Sequence, residues 1–169
     1  DTFTGALARA VGENVGSYAI SQGSVTNSNY DITFTGANFS ITTRPITLTA
    51  NSASKIYGNT DPSLTYAIEA AGTSRGLVTG DTFTGALARA VGENVGSYAI
   101  SQGSLANSNY LINFVSDNFG ITQRPVIVTA ANSQSKVYGN TDPSLTYAIE
   151  AAGTSRGLVT GDTFTGALA

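Results

Sequence analysis

The 169-residue chain has no cysteine, histidine, methionine or tryptophan. Without cysteine there are no disulfides and no thiolate metal sites. Without histidine, the usual general base at neutral pH and the commonest metal ligand are missing. Charge is scarce too. Only 11% of residues are charged, with a net charge of −3, against about 25% charged in an ordinary globular domain. Lysine and arginine occur singly and never in runs, which argues against a nucleic-acid partner. No apolar run approaches the roughly 18–20 residues of a membrane-spanning helix, so no membrane span is expected in this segment.

What is abundant is glycine, serine, threonine, alanine and asparagine, together with one octapeptide. Asp-Thr-Phe-Thr-Gly-Ala-Leu-Ala opens the chain at Asp1, recurs at Asp81 and closes it at Asp162. The offsets are 80 and 81 residues, the extra residue being one of the pair Ala130-Ala131. Such a period marks repeated supersecondary units. A start in mid-repeat and the absent initiator methionine are expected of a piece of something longer. Sparse charge and many small polar residues suit secreted β-repeat proteins.

Apolar residues alternate nearly everywhere. Phe83 and Leu87 lie on one face of a run with Gly85 between them, which predicts an interior strand. Tyr98 and Ile100, Ile46 and Leu48, Leu64 and Tyr66, and Ile112 and Phe114 alternate with polar or small neighbours. Period two over four to eight residues is the signal of a half-buried strand. Residues 63–71 also carry a helical pattern with Pro62 at a possible first position, but their alternation favours a strand. Segment 86–91 is a weaker helical candidate. Gly58-Asn59-Thr60-Asp61-Pro62, Gly92-Glu93-Asn94 and Asn107-Ser108-Asn109 supply turns. About seven short strands per repeat, with a turn roughly every ten residues, predict an all-β fold of tandem immunoglobulin-like antiparallel β-sandwich repeats of about 80 residues.

The two copies test this reading internally. Residues 1–24 and 81–104 are identical. A run of differences, Asp31 against Leu111, Thr33 against Asn113 and Thr35 against Val115, falls on every second residue. Ile32 and Phe34 between them return as Ile112 and Phe114. Drift on one face beside a fixed opposite face is what a strand with one buried side predicts.

Arg44-Pro45 and Arg124-Pro125 are the strongest punctuation. Proline removes a ladder donor and holds its neighbour extended, which suits passage from one domain to the next. On this reading 44–123 is one complete repeat, 1–43 the back of the preceding one and 124–169 the front of the next.

Asn94-x-Gly96-x-Tyr98-x-Ile100, repeated around Tyr18, resembles the tyrosine-corner run of immunoglobulin-like domains, with Ile100 at the cysteine position. The tyrosine hydroxyl is expected to bond upstream backbone while its ring covers the core. Lys55-Ile56-Tyr57-Gly58, Asp61-Pro62-Ser63-Leu64, Gly80-Asp81 and Val95-Gly96-Ser97-Tyr98, with Lys136-Val137-Tyr138-Gly139 and Asp142-Pro143, resemble the MBG-type repeats (Tyr-Gly class) of large bacterial surface proteins. The resemblance covers essentially the whole chain. It implies tandem extracellular domains of adhesin-like proteins at the bacterial cell surface, with no assigned catalytic role.

No nucleophile motif is present, and a Glu93–Asp81 carboxylate pair of the glycosidase kind has nothing to place it in a cleft. No enzyme and no cofactor are expected. Asp61 and Asp142 lack the ligand density of a calcium site and read as turn caps. Lys55 and Arg44 read as solvated residues guarding strand ends, the alternative being a salt bridge across the repeat junction. Asn38-Phe39-Ser40 is a formal glycosylation sequon, but its second copy has Gly120 instead of serine.

The leading expectation is a structural spacer or stalk. Each repeat would contribute on the order of 35–40 Å, with the Arg-Pro step limiting bending, and neighbouring repeats of the same chain as partners. A self-assembling fibre subunit, in which partial repeats of identical chains complement one another, is the alternative. A glycan- or protein-binding module presenting Asn27-Ser28-Asn29-Tyr30 and Asn107-Ser108-Asn109-Tyr110 is a third.

Overall fold

The computed structural model describes residues 1–166. Twelve strands follow in chain order: β1 (Ala8–Arg9), β2 (Gly16–Ser21), β3 (Ala37–Ile41), β4 (Arg44–Ala50), β5 (Ala53–Ile56), β6 (Tyr66–Ile68), β7 (Ala88–Arg89), β8 (Gly96–Ser101), β9 (Tyr110–Val115), β10 (Asn118–Thr122), β11 (Val128–Ala130) and β12 (Tyr147–Ile149). No helix occurs among the described residues, and the chain is all-β. Both helical candidates carry strands, β6 and β7. Seven strands, β4 to β10, lie between Arg44 and Thr122.

The chain forms two compact units. The first comprises Asp1–Ala50, Tyr66–Leu87 and Gln102–Val115. It holds the antiparallel sheet β1-β2-β3 and the mixed sheet β6-β4-β9. In the mixed sheet β4 runs antiparallel to β6 but parallel to β9, with six registered pairs from Arg44↔Tyr110 to Thr49↔Val115. Ile46, Leu48, Leu105 and Tyr110 are buried together, and Tyr66, Leu77, Phe83, Leu87, Ile112 and Phe114 pack against them. Full burial of one such aliphatic side chain contributes about 1.5–3 kcal/mol.

The second unit comprises Asn51–Thr65, Ala88–Ser101 and the chain from Ser116 onward. Its four-stranded sheet has the order β5-β10-β8-β7, and β11 and β12 form a separate antiparallel pair. Again one ladder is parallel: β5 and β10 pair from Ala53↔Phe119 to Ile56↔Thr122. Ile100, Phe119 and Ile121 are its fully buried apolar residues.

Two expectations need correction. Two of the four sheets are mixed, not purely antiparallel. Alternation has period two in either direction, so the pattern could not reveal that β4 runs parallel to β9 and β5 to β10. The run from Thr82 to Ala88 is also not a continuous strand. Thr84 makes an isolated bridge with Ala106, Gly85 takes φ +89°, and the strand proper begins at Ala88. A Cβ on Gly85 would lie 2.2 Å from the Ser104 carbonyl oxygen, so the glycine is a bend forced by close backbone approach.

Candidate functional site

The Arg-Pro step works as a clamp. Amides along a strand point alternately to either side. Arg44 donates its amide to the Asn109 carbonyl on the β9 side (2.9 Å). Pro45 therefore faces the other side, short of the first β6 pair at Leu48↔Ile68, where no ladder donor is required. The Pro45 carbonyl accepts from the Gly76 amide (3.0 Å), which draws the loop 72–76 against β4. That loop forms a cup of carbonyls around the Arg44 guanidinium. Nε donates to Gly76 (2.8 Å), and Nη2 donates to Gly72 (2.5 Å) and Arg75 (2.7 Å). Hydrogen bonds from a charged donor are roughly twice as strong as neutral ones.

Arg124 repeats this clamp on its own loop, with Nε on Gly157 (2.8 Å) and Nη2 on Gly153 and Arg156. Its remaining nitrogen does something more. Nη1 donates to the Tyr57 carbonyl (3.2 Å) and to Asn59 Oδ1 (2.9 Å). These groups belong to the Tyr-Gly turn of the preceding sequence repeat. Gly58 in that turn takes φ +80°, and a Cβ there would lie 2.5 Å from Val159 Cγ2. The turn thus needs glycine for both its backbone angle and its clearance. The Tyr57 hydroxyl donates to Asp162 Oδ1 (3.2 Å), and that carboxylate raises the tyrosine pKa. A groove of about 620 Å³ remains beside these contacts, lined by Tyr57, Val95, Arg124, Pro125, Val159 and Phe164 among others.

The corresponding place in the first unit is filled. Val15 donates its amide to Asn109 Oδ1 (3.0 Å), and Asn109 Nδ2 donates to Asn14 Oδ1 (2.9 Å). The Tyr110 hydroxyl donates to Asp81 Oδ2 (2.5 Å) and accepts from the Val78 amide (3.0 Å). Burial and the Asp81 carboxylate together push its pKa up. The Phe83 ring lies 5.5 Å from that of Tyr110. Asn109, considered above as a ligand-presenting residue, is therefore engaged with the chain itself.

Within the second unit four charges close a ring. Lys55 Nζ contacts Asp61 (2.7 Å) and Glu93, and Arg89 contacts Asp61 (2.6 Å) and Glu93 (2.5 Å). The Arg89 guanidinium also lies over Tyr98 (5.3 Å) and Phe119 (4.9 Å). Hydrogen bonds from Arg89 and Lys55 hold the Asp61 carboxyl down at about 2. Glu93 is likewise lowered, first by Lys55, and Lys55 is raised, first by Asp61. Two cations facing two anions leave no carboxyl poised to take or give a proton near neutral pH.

Asp61 is thus an ion-pair partner, not merely a turn cap. Lys55 is buried and does not guard a solvated edge. Arg44 is held in its carbonyl cup, Glu93 is bound to cations and Asp81 accepts from Tyr110. Lys55, Asp61, Arg89 and Glu93 acting together were missed from sequence. The available signal was that all four return at or from the neighbouring copies, as Lys136, Asp142, Arg9 and Glu13, in a chain with few charges to keep.

Tyr98 and Tyr18 donate their hydroxyls to the carbonyls four residues upstream, Asn94 (2.7 Å) and Asn14 (2.6 Å). Gly96 opens β8, and Ile100 is fully buried two residues after Tyr98. Phe83, Leu87, Ile112 and Phe114 meet in the first unit, and Tyr98 and Ile100 lie in the second.

A family model described as MBG domain (YGX type) matches residues 1–40, 46–120 and 126–169. No curated protein and no solved structure gives a significant match to the chain.

Proposed function

We propose that the chain, which belongs to the MBG domain (YGX type) family, is a structural spacer in the stalk of a bacterial surface adhesin or fibre. The family is one of repeat domains of surface proteins and is not known as enzymatic. The repeat boundaries are placed at the Arg-Pro steps, giving 1–43, 44–123 and 124–169. The family match supports these boundaries, since it is interrupted at 41–45 and at 121–125.

One observation carries the reading. The Arg124 guanidinium is held at once by its own loop at Gly153, Arg156 and Gly157 and by the Tyr57-Gly58-Asn59 turn of the preceding repeat. A planar cation with five donors bridges the two rigidly. Its role is mechanical: each repeat adds length, and the shared arginine restrains bending at the step. Extracellular placement on the cell surface follows from this role and from the family.

The test is small-angle X-ray scattering on the chain and on Arg124→Gln. The variant keeps amide donors but loses the fork. A broader distribution of dimensions, with each repeat still folded by circular dichroism, is expected. Identical scattering from both proteins overturns the reading.

A further inference from the structure

The two parallel ladders share one register. Arg44↔Tyr110 opens the β4–β9 ladder and Ala53↔Phe119 opens the β5–β10 ladder, the partners lying 66 residues apart in both. Residues 44–56 and 110–122 therefore keep a single alignment through both ladders. The pairing continues past each end. The Arg44 amide donates to the Asn109 carbonyl (2.9 Å), and the Tyr57 amide donates to the Thr122 carbonyl (2.9 Å). Pro45 removes no rung, because Arg44 faces β9 and its neighbour faces the other side. The strand that begins this stretch, β4, lies between β6 and β9, and the strand that ends it, β10, lies between β5 and β8. Neither can be peeled from a sheet edge. Ile46, Leu48 and Ala50 on β4 are buried, as are Phe119 and Ile121 on β10.

We infer that residues 44–122 form a shear clamp that bears tension along the chain. Tension draws β4 back through Arg44 and β10 forward through Thr122. Because the partners are parallel, the loaded ends lie at opposite ends of each ladder. They are Arg44 and Val115 for β4–β9, and Ala53 and Thr122 for β5–β10. The six registered pairs of the first ladder then resist together, and so do the four of the second. Were the partners antiparallel, both loaded ends would lie side by side and the pairs would open one at a time. Sliding offers no easy escape. A slip of one residue turns every buried side chain of the strand to the opposite face, and a slip of two carries it about 6–7 Å past its packing partners. The resistance is kinetic, since forced unfolding follows the unfolding rate and not the equilibrium stability. That the chain meets such tension rests on the stalk reading, whereas the dependence of strength on pulling direction rests on the ladders alone.

The absence of cysteine lets thiol handles be placed at chosen positions. Thr43, Ser108 and Gln123 are exposed and lie outside the strands. In the full chain, Thr43→Cys with Gln123→Cys puts the handles at opposite ends of the paired stretch. Thr43→Cys with Ser108→Cys puts them at the same end of the β4–β9 ladder. Single-molecule force spectroscopy at one loading rate is expected to give a several-fold higher unfolding force for the first pair. Both pairs pull on the same fold, so equilibrium stability cancels from the comparison. Equal forces, or a higher force for the Thr43 and Ser108 handles, overturn the clamp. Either result leaves the scattering test of Arg124→Gln to be read independently, so failure of the clamp and failure of the stalk reading are told apart.

Discussion

Phe119 and Phe39 follow the same residue, asparagine, in the same place of two copies of one repeat, yet Phe119 is 0% exposed and Phe39 is 45% exposed. Tyr110 and Tyr30 differ likewise, at 7% and 52%, and Leu48 and its counterpart Val128 at 0% and 46%. In each pair the first member lies where a parallel partner strand is present, and the second where it is not. Local sequence therefore sets which face of a strand is apolar, and the partner strand decides whether that face is buried. Segments 30–35 and 134–137, the counterparts of β9 and β5, do not form strands.

The widest separation is expected at the phenylalanines. Phe119→Ala should cost about 3–5 kcal/mol, as core truncations of this size do, and Phe39→Ala about 1 kcal/mol, from its contact with Arg9. Urea unfolding followed by residue-resolved hydrogen exchange measures both, and equal losses would break the comparison. Next comes the central strand. Leu48→Ala should cost about 2–5 kcal/mol, and Val128→Ala about 0.5 kcal/mol, by the same measurement.

The tyrosine pair is subtler. Tyr110→Phe removes the bond to Asp81 and strips the Val78 amide of its acceptor, a loss of about 1–2 kcal/mol. Tyr30→Phe removes only an exposed bond to Asp1 and should cost about 0.5 kcal/mol or less. Thermal unfolding of the two variants would show the difference.

The smallest effect is expected in acid. Asp61 is held at about 2 in the folded chain, below its unfolded value of about 3.9. Its contribution is complete above that unfolded value and is lost as pH falls toward 2. Because Asp61 is partly solvated, the effect is modest. Asp61→Asn should flatten the acid limb of stability against pH, and an unchanged limb would show that the ring adds nothing.

Much of the strand layout was legible. The drifting positions Leu111 and Val115 are exposed, and the constant Ile112 and Phe114 pack on the core, as copy-to-copy variation indicated. The bond from Tyr98 was legible because Asn-x-Gly-x-Tyr is a local motif whose partner lies four residues away. The ion ring was not, since Lys55 and Glu93 are 38 residues apart and no periodicity links them. Nor was the dual grip of Arg124, because the sequence marks where proline interrupts a strand but not which carbonyls a guanidinium will reach.

The sequence by itself determined an all-β repeat, its period, its alternating faces and the turns at glycine, asparagine and proline. These follow from steric limits and hydrophobic patterning, which act over a few residues. Only the tertiary structure decided the parallel pairing of β4 with β9 and of β5 with β10, the closure of four charges into a ring, and which copy of each aromatic is buried. Those outcomes depend on partners tens of residues away, and similar local sequences meet different partners at different places in the chain.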